Sequence, residues 1–117
     1  MLTRVVRYGI ALHSFKHDFG RSHNIIIQHG LMGSAKNFRT LSKTPAFSQY
    51  ANAHLLDARN HGDSQHTETH TLSDLASDIH EYIIKEQLHL NKKKLILMGH
   101  SMGALALLQF TKMFHQP

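Results

Sequence analysis

The chain has 117 residues, of which 41% are hydrophobic and 18% charged, which is the composition of one globular domain and excludes a disordered or fibrous chain. The formal net charge is +5 and cysteine is absent, which excludes disulfides, thiolate catalysis and cysteine-based zinc sites. No apolar run approaches the roughly 20 residues of a membrane-spanning helix, so we expect no membrane span.

The N-terminus supports two interpretations. Its first 17 residues contain Arg4, Arg7 and Lys16 but no acidic residue, as in a mitochondrial presequence. Apolar residues recurring up to Leu12, followed by a polar break over 16–22, instead favour an opening strand and hairpin. Localisation therefore stays open between cytoplasm and mitochondrion.

The next elements alternate between strand and helix. Residues 25–28, Ile-Ile-Ile-Gln, predict a strand buried on both faces that ends at His29-Gly30. The segment 34–42 predicts a short helix, with Ser34 as its N-cap and Pro45 halting it. Residues 53–58 predict another strand, and the polar stretch 59–71 predicts a loop.

Two further helices and one further strand complete the pattern. A helix should begin after Thr71, because Leu75, Ile79 and Ile83 recur at helical spacing, with Leu72 and Ala76 on the same side. Residues 95–98 predict an apolar strand and 102–114 a helix that ends before Pro117. This alternating order predicts a doubly wound α/β fold with helices on both faces of a mostly parallel sheet.

The chemistry concentrates at Gly99-His100-Ser101-Met102-Gly103, which lies between the last predicted strand and helix. This is the nucleophile-elbow pattern, in which a tight turn exposes a serine at the carboxyl edge of a sheet. The glycines at 99 and 103 suit a turn where a β-carbon would collide with its surroundings. Ser101 is the predicted nucleophile, although the residue could instead be a helix N-cap without catalysis.

The amides of Leu31 and Met102 are the predicted oxyanion hole. Met102 starts a helix, whose free N–H groups and dipole face Ser101, and Leu31 follows His29-Gly30 after the first buried strand. His29 is expected to brace this loop through side-chain hydrogen bonds.

At these motifs, and at residues 57–64 (Asp-Ala-Arg-Asn-His-Gly-Asp-Ser) and Asn37-Phe38, the chain resembles the α/β-hydrolase superfamily, in particular its small esterases. The resemblance implies a partial domain over 4–117, with the first five strands and the helices through the nucleophile helix, preceded by terminal residues 1–3. It implies that the triad acid and histidine follow later strands, so that this chain lacks both.

Other residues do not replace the missing base. His100 flanks Ser101 but should point elsewhere, and Asp57 and Asp63 are expected to make structural hydrogen bonds. His66 and His70 lie four apart in a predicted loop without the zincin glutamate, so no metal site is expected there. No cofactor is expected either.

Two functions follow from these residues. The first is a serine esterase or acyl hydrolase acting on a small ester or acyl substrate, present as a fragment. The second is a non-catalytic remnant that binds a ligand or partner. The run 92–94, Lys-Lys-Lys, predicts a solvated loop and no nucleic-acid site. The strand 95–98 would be an open sheet edge, through which the chain could associate and which should make it marginally stable.

Overall fold

A computed structural model describes residues 9–90 and 94–114. Their elements form a sheet with helices on both faces and follow the α/β order expected from the sequence. The strands are β1 (Ser14–His17), β2 (His23–Gln28), β3 (Ala51–Leu56) and β4 (Leu95–Gly99). The helices are a 3₁₀ turn (Ala35–Phe38), α1 (Arg39–Ser42), α2 (Pro45–Ser48), α3 (Leu72–Lys85) and α4 (Met102–Phe114).

The sheet has the strand order β1-β3-β2-β4 and is mostly parallel. The central strand β2 pairs in parallel with β3 on one side and with β4 on the other, whereas β1 runs antiparallel to β3. In the β2–β4 register, Gln28 lies opposite Gly99. The loops that leave these two strands, His29-Gly30 and His100-Ser101, therefore emerge side by side at the carboxyl edge.

The two faces of the sheet carry separate cores because successive side chains of a strand point to opposite sides. Ile26 and Leu56 face α3 and α4 and join a cluster with Ile79, Ile83 and other buried residues. On the opposite face Ile25, Ile27, Leu55 and further residues pack beside the segment between β2 and β3. Ile26, Leu55 and Leu56 are fully buried. This double burial explains the continuous apolar run of β2.

The prediction of an opening strand and hairpin is wrong for the part of the N-terminus that the structure describes. The first strand of the described residues begins at Ser14, after Leu12, and pairs with β3 rather than with a hairpin partner. Its polar sequence is accommodated because β1 lies at the edge of the described sheet and is only partly buried. Residues 1–8, which carry the rest of that prediction, lie outside the described residues, as do 91–93 and Pro117. The described part has four strands where five were expected.

Several predicted boundaries also shift. The single helix over 34–42 is a 3₁₀ turn followed by α1, and Pro45 starts α2 instead of only ending a helix, since proline suits the first helical position. Strand β3 begins and ends two residues before the predicted 53–58. Leu72 is 40% exposed, because it is the first residue of α3. Leu75, Ile79 and Ile83 are buried as predicted. No described helix is long and apolar enough to cross a membrane.

Candidate active site

Ser101 occupies a sharp turn between β4 and α4. Its φ of 53° lies in the left-handed region, which a non-glycine residue adopts only when its surroundings hold it there. The backbone around it is tied down, because His100 N–H donates to Gln28 O at 3.1 Å and Gly103 N–H donates to His100 O at 2.9 Å. Ser101 is exposed to solvent at the carboxyl edge of the sheet.

Both glycines of the elbow lack room for a side chain. A β-carbon on Gly99 would lie 2.6 Å from Ala104 N, and one on Gly103 would overlap Gln28 O. The elbow therefore requires glycine at these positions because strand, turn and helix approach one another closely. This agrees with the sequence prediction for both residues.

A cavity of about 480 Å³ opens in front of Ser101. Its walls come from the turn after β2 and from the elbow. The lining residues are Gly30, Leu31, Met32, Gly33, Asn37, Phe38, His100 and Ser101. A β-carbon on Gly30 would lie 3.3 Å from Ser101 Cβ and 3.0 Å from His100 Nδ1, so the turn and the elbow touch at Gly30. His100 thus lines the cavity. The expectation from the sequence that this side chain points elsewhere is wrong.

Two backbone N–H groups beside this cavity are free. Within residues 9–90 and 94–114, neither Leu31 N–H nor Met102 N–H donates a hydrogen bond. Met102 begins α4, so its N–H is one of the unpaired donors that every helix N-terminus presents. Free donors of this kind can bind a developing negative charge on oxygen.

His29 is a buried support beneath the turn after β2. Its Nδ1–H donates to Gly30 O at 2.7 Å, and its Nε2 accepts from Ala58 N–H at 3.0 Å. Both bonds need the neutral ring with the proton on Nδ1. Burial is the main cause that lowers the pKa of His29, and nearby His61 lowers it further, while the bond to Gly30 O opposes them. His29 therefore braces Gly30 as a neutral imidazole.

A second histidine, His61, contacts the same turn from outside. Met32 N–H donates to His61 Nε2 at 3.1 Å, and His61 Nδ1 lies 2.9 Å from Arg59 O. The His61 ring packs 5.1 Å from the ring of His29 and 5.5 Å from that of His70. His70 Nε2 in turn lies 3.3 Å from Met102 Sδ. A row of imidazoles thus runs from beneath the turn to the start of α4.

The loop that carries His61 and His70 is held by a buried ion pair. Arg59 Nε donates to Asp78 Oδ2 at 2.7 Å and its Nη2 donates to Asp78 Oδ1 at 2.8 Å, in a two-pronged contact. Arg59 is 3% exposed and Asp78 is 1% exposed. The hydrogen bond to Asp78 is the main cause that raises the pKa of Arg59. The loop over 59–71 is therefore anchored on α3.

Asp57 directly follows β3. Its side chain makes the structural hydrogen bonds expected of it. It accepts from Ala35 N–H at 2.8 Å, from Asp63 N–H at 3.1 Å and from His13 Nδ1 at 2.7 Å. Burial alone would raise the pKa of Asp57, but these hydrogen bonds together hold it below its usual value. The carboxylate ties the 3₁₀ turn to the loop after β3.

His13, Asp57 and Asp63 offer ligand atoms within 4.8 Å of one another, a grouping that the sequence spacing did not suggest. Both Asp57 oxygens already accept hydrogen bonds from protein donors, as described above. A metal ion would have to break these bonds, so the donor set suits a structural network better than a metal centre. His66 and His70 lie in the loop as predicted and are exposed.

Comparison with known sequences agrees with this geometry. A family profile described as alpha/beta hydrolase fold matches residues 24–117. The chain belongs to the α/β-hydrolase family. The profile begins at β2 and includes both the turn after β2 and the elbow around Ser101.

Curated relatives of this α/β-hydrolase carry names for acyl chemistry. A probable alcohol acetyltransferase of Saccharomyces cerevisiae is 38% identical over 79 residues, which are 68% of this chain and 23% of that protein. An sn-1-specific diacylglycerol lipase of Danio rerio is 37% identical over 84 residues, 72% of this chain and 25% of that protein. The α/β-hydrolase chain thus spans about a quarter of the length of these relatives.

Solved structures give the same fold. A marine microorganism esterase has a TM-score of 0.77 and 32% identity, and the match covers 86% of this α/β-hydrolase chain and 36% of the esterase. A thermophilic esterase from Thermogutta terrifontis has a TM-score of 0.75 at 19% identity, covering 87% and 35% of the two chains, which shows the fold alone.

Of the site residues predicted for this α/β-hydrolase, Gly30, Leu31, His100 and Ser101 line one cavity. The others, His29, Gly99, Met102 and Gly103, belong to the adjoining turn and elbow. Within the described ranges no side chain forms a hydrogen bond with Ser101 Oγ, so a base is not in place there. Sequence reasoning missed His61. The sequence does contain a signal for His61, because this residue lies within the motif 57–64 that carries the family resemblance.

Proposed function

We propose that this α/β-hydrolase chain supplies the nucleophile and the oxyanion hole of a serine acyl hydrolase that acts on small carboxylic esters. Ser101 is the nucleophile, and Leu31 N–H and Met102 N–H bind the oxyanion. The triad base and acid belong to sequence outside the described residues. The observation that carries this proposal is the left-handed Ser101 at a cavity beside two free N–H groups.

The arrangement suits acyl transfer in two steps. Ser101 Oγ attacks the ester carbonyl carbon as its proton passes to the base, and the carbonyl oxygen becomes an oxyanion. Collapse of this intermediate releases the alcohol, which takes the proton from the base, and leaves an acyl-serine. Water then attacks the acyl carbon by the same route and frees the acid and Ser101. Leu31, Met32 and Phe38 give the cavity an apolar wall suited to the acyl group.

Acyl transfer to an alcohol is a second candidate, favoured by the relatives named as alcohol acetyltransferases. The acyl-serine is common to both reactions, and they differ in whether water or an alcohol attacks it. Adding ethanol to an assay with p-nitrophenyl acetate separates them. A transferase forms ethyl acetate at the expense of acetate, whereas a hydrolase forms mainly acetate.

A non-catalytic, ligand-binding role is the third candidate, favoured by the lack of a described hydrogen-bond partner for Ser101 Oγ. A fluorophosphonate probe discriminates, because it reacts only with an activated serine. In a longer version of the chain that supplies the base and acid, we expect wild type and the matched control Ser22→Ala, at an exposed serine, to be labelled equally and Ser101→Ala to stay unlabelled. Labelling of Ser101→Ala, or none of wild type, in that longer chain would overturn the hydrolase proposal.

A further inference from the structure

We propose that His61 is a positioning residue: its neutral ring holds the turn 30–33 that presents Leu31 N–H, and protonation of the ring releases that turn. The effect on catalysis rests on the function proposed above. The effect on the turn does not, because it follows from the contacts of His61 alone.

The turn needs an external support. Gly33 N–H donates to Gly30 O at 3.0 Å, which closes a four-residue turn with Leu31 and Met32 at its centre. Met32 has a φ of 62°, at a turn position where glycine or asparagine is favoured. Its side chain is 90% exposed and so gives the turn little packing. The conformation must therefore be held through the backbone.

His61 provides that support at the peptide between Leu31 and Met32. Met32 N–H is the donor of this peptide and it points at His61 Nε2, 3.1 Å away. If the peptide rotated, a carbonyl oxygen would face Nε2 and the hydrogen bond would be lost. The orientation of this peptide limits how Leu31 can turn its own N–H, the proposed oxyanion donor.

The contacts of His61 define its protonation state. Arg59 O can only accept, so His61 Nδ1 carries a proton and donates at 2.9 Å. Nε2 must then keep a lone pair, because Met32 N–H donates to it. One neutral tautomer satisfies both bonds. A doubly protonated ring would keep the bond to Arg59 O but place two N–H groups face to face at Met32.

Several titratable and charged groups surround His61. The rings of His29 and His70 flank it at 5.1 and 5.5 Å. Arg59, which accepts the Nδ1 bond through its carbonyl, carries a buried guanidinium. The nearby carboxylates of Asp74 and Asp78 form ion pairs with that guanidinium. Of the ring's forms, only the neutral one with the proton on Nδ1 serves both Arg59 O and Met32 N–H.

The test is an NMR titration of the ¹⁵N-labelled full chain across the range of about pH 5 to 8 where histidine changes charge. We expect the Met32 amide to shift with acid in wild type. In His61→Gln, whose amide oxygen can accept at the Nε2 position without titrating, this shift should disappear while the turn persists. A Met32 amide that does not titrate in wild type, or titrates equally in His61→Gln, would overturn the proposal.

Kinetics form the second arm and keep the two proposals separable. In a longer version of the chain that supplies the base and acid, the rate of fluorophosphonate labelling should fall about 3- to 10-fold in His61→Ala, the usual worth of one hydrogen bond, and stay near wild type in His61→Gln. In His61→Gln the labelling rate should also lose part of its decline in acid. Absent labelling of that longer chain in all variants removes the proposed function, whereas the Met32 titration decides the positioning role in either case.

Discussion

The carbonyl oxygen of Gln28 lies against Gly103 so closely that a β-carbon at position 103 would overlap it. The contact joins the end of the central strand β2 to the first turn of α4. The carbonyl oxygen of His29 lies 2.6 Å from the same β-carbon position. The backbone that leads into the turn 30–33 and the backbone of the elbow are therefore packed directly on each other.

We expect Gly103→Ala to destabilise the chain by about 1–3 kcal/mol, the usual cost of forcing extra atoms into a packed site. The overlapping neighbours are backbone atoms of a buried strand, which cannot move aside as a flexible side chain can. Urea unfolding measures the change. The matched control is Leu108→Ala on the same helix, at a side chain 68% exposed, which should change the free energy of unfolding little. Equal effects of the two variants would contradict the close-packing explanation.

The elements that the sequence predicted well are those whose signal is local. The apolar run of β2, the helical spacing of α3 and the strand-glycine-helix pattern at Ser101 each depend on residues close together in the chain. The start of α3 after Thr71 is local too, because Asp74 N–H donates to Thr71 Oγ1 at 3.0 Å and so caps the helix.

The parts that the sequence did not predict depend on contacts between distant residues. The bond from Met32 to His61 spans 29 positions and the Arg59–Asp78 pair spans 19, so no short pattern reveals either. The strand β1 was misplaced for a similar reason, because its few polar residues form a strand only through pairing with β3. Long-range pairing overrides a weak local preference.

Replacing His29 should change how stability depends on pH. Because burial lowers the pKa of His29, the unfolded chain binds a proton at this ring more readily than the folded chain does. The free energy of unfolding should therefore fall as the pH drops from about 6.5, the ordinary histidine value, towards the lowered folded value. Above about pH 6.5, the contribution of His29 to the free energy of unfolding is constant.

His29→Gln removes this share of the acid sensitivity, and urea unfolding over about pH 5 to 7 measures it. The slope should decrease but not vanish, because burial also lowers the pKa values of His17 and His54. Ser22→Ala, at an exposed serine that does not titrate in this range, should keep the wild-type slope. An unchanged slope in His29→Gln would mean that His29 does not contribute to the acid limb.

Breaking the ion pair between Arg59 and Asp78 should be severe. Both side chains are almost fully buried, and Asp78→Asn leaves the guanidinium with only the longer contact to Asp74, at 3.7 Å, as its ion pair. We expect a loss of about 3–5 kcal/mol in the free energy of unfolding. Lys16→Ala, which breaks the exposed pair with Glu86, should cost about 1 kcal/mol or less. Comparable losses in urea unfolding would refute the anchoring role assigned to the buried pair.

The open strand β4 should make the isolated chain self-associate. It lies at the edge of the described sheet, contains no charged residue or proline, and leaves Ile96 41% exposed, while α4 exposes Leu105 and Leu108. Unpaired apolar edges of this kind pair with other chains, and a lysine on such an edge opposes pairing. Ile96→Lys should therefore reduce association in sedimentation velocity over a concentration series. Leu41→Lys adds the same charge at an exposed site on α1 and should not, so an equal reduction by both variants would assign the effect to net charge. A wild-type chain that stays monomeric and melts sharply would contradict the prediction itself.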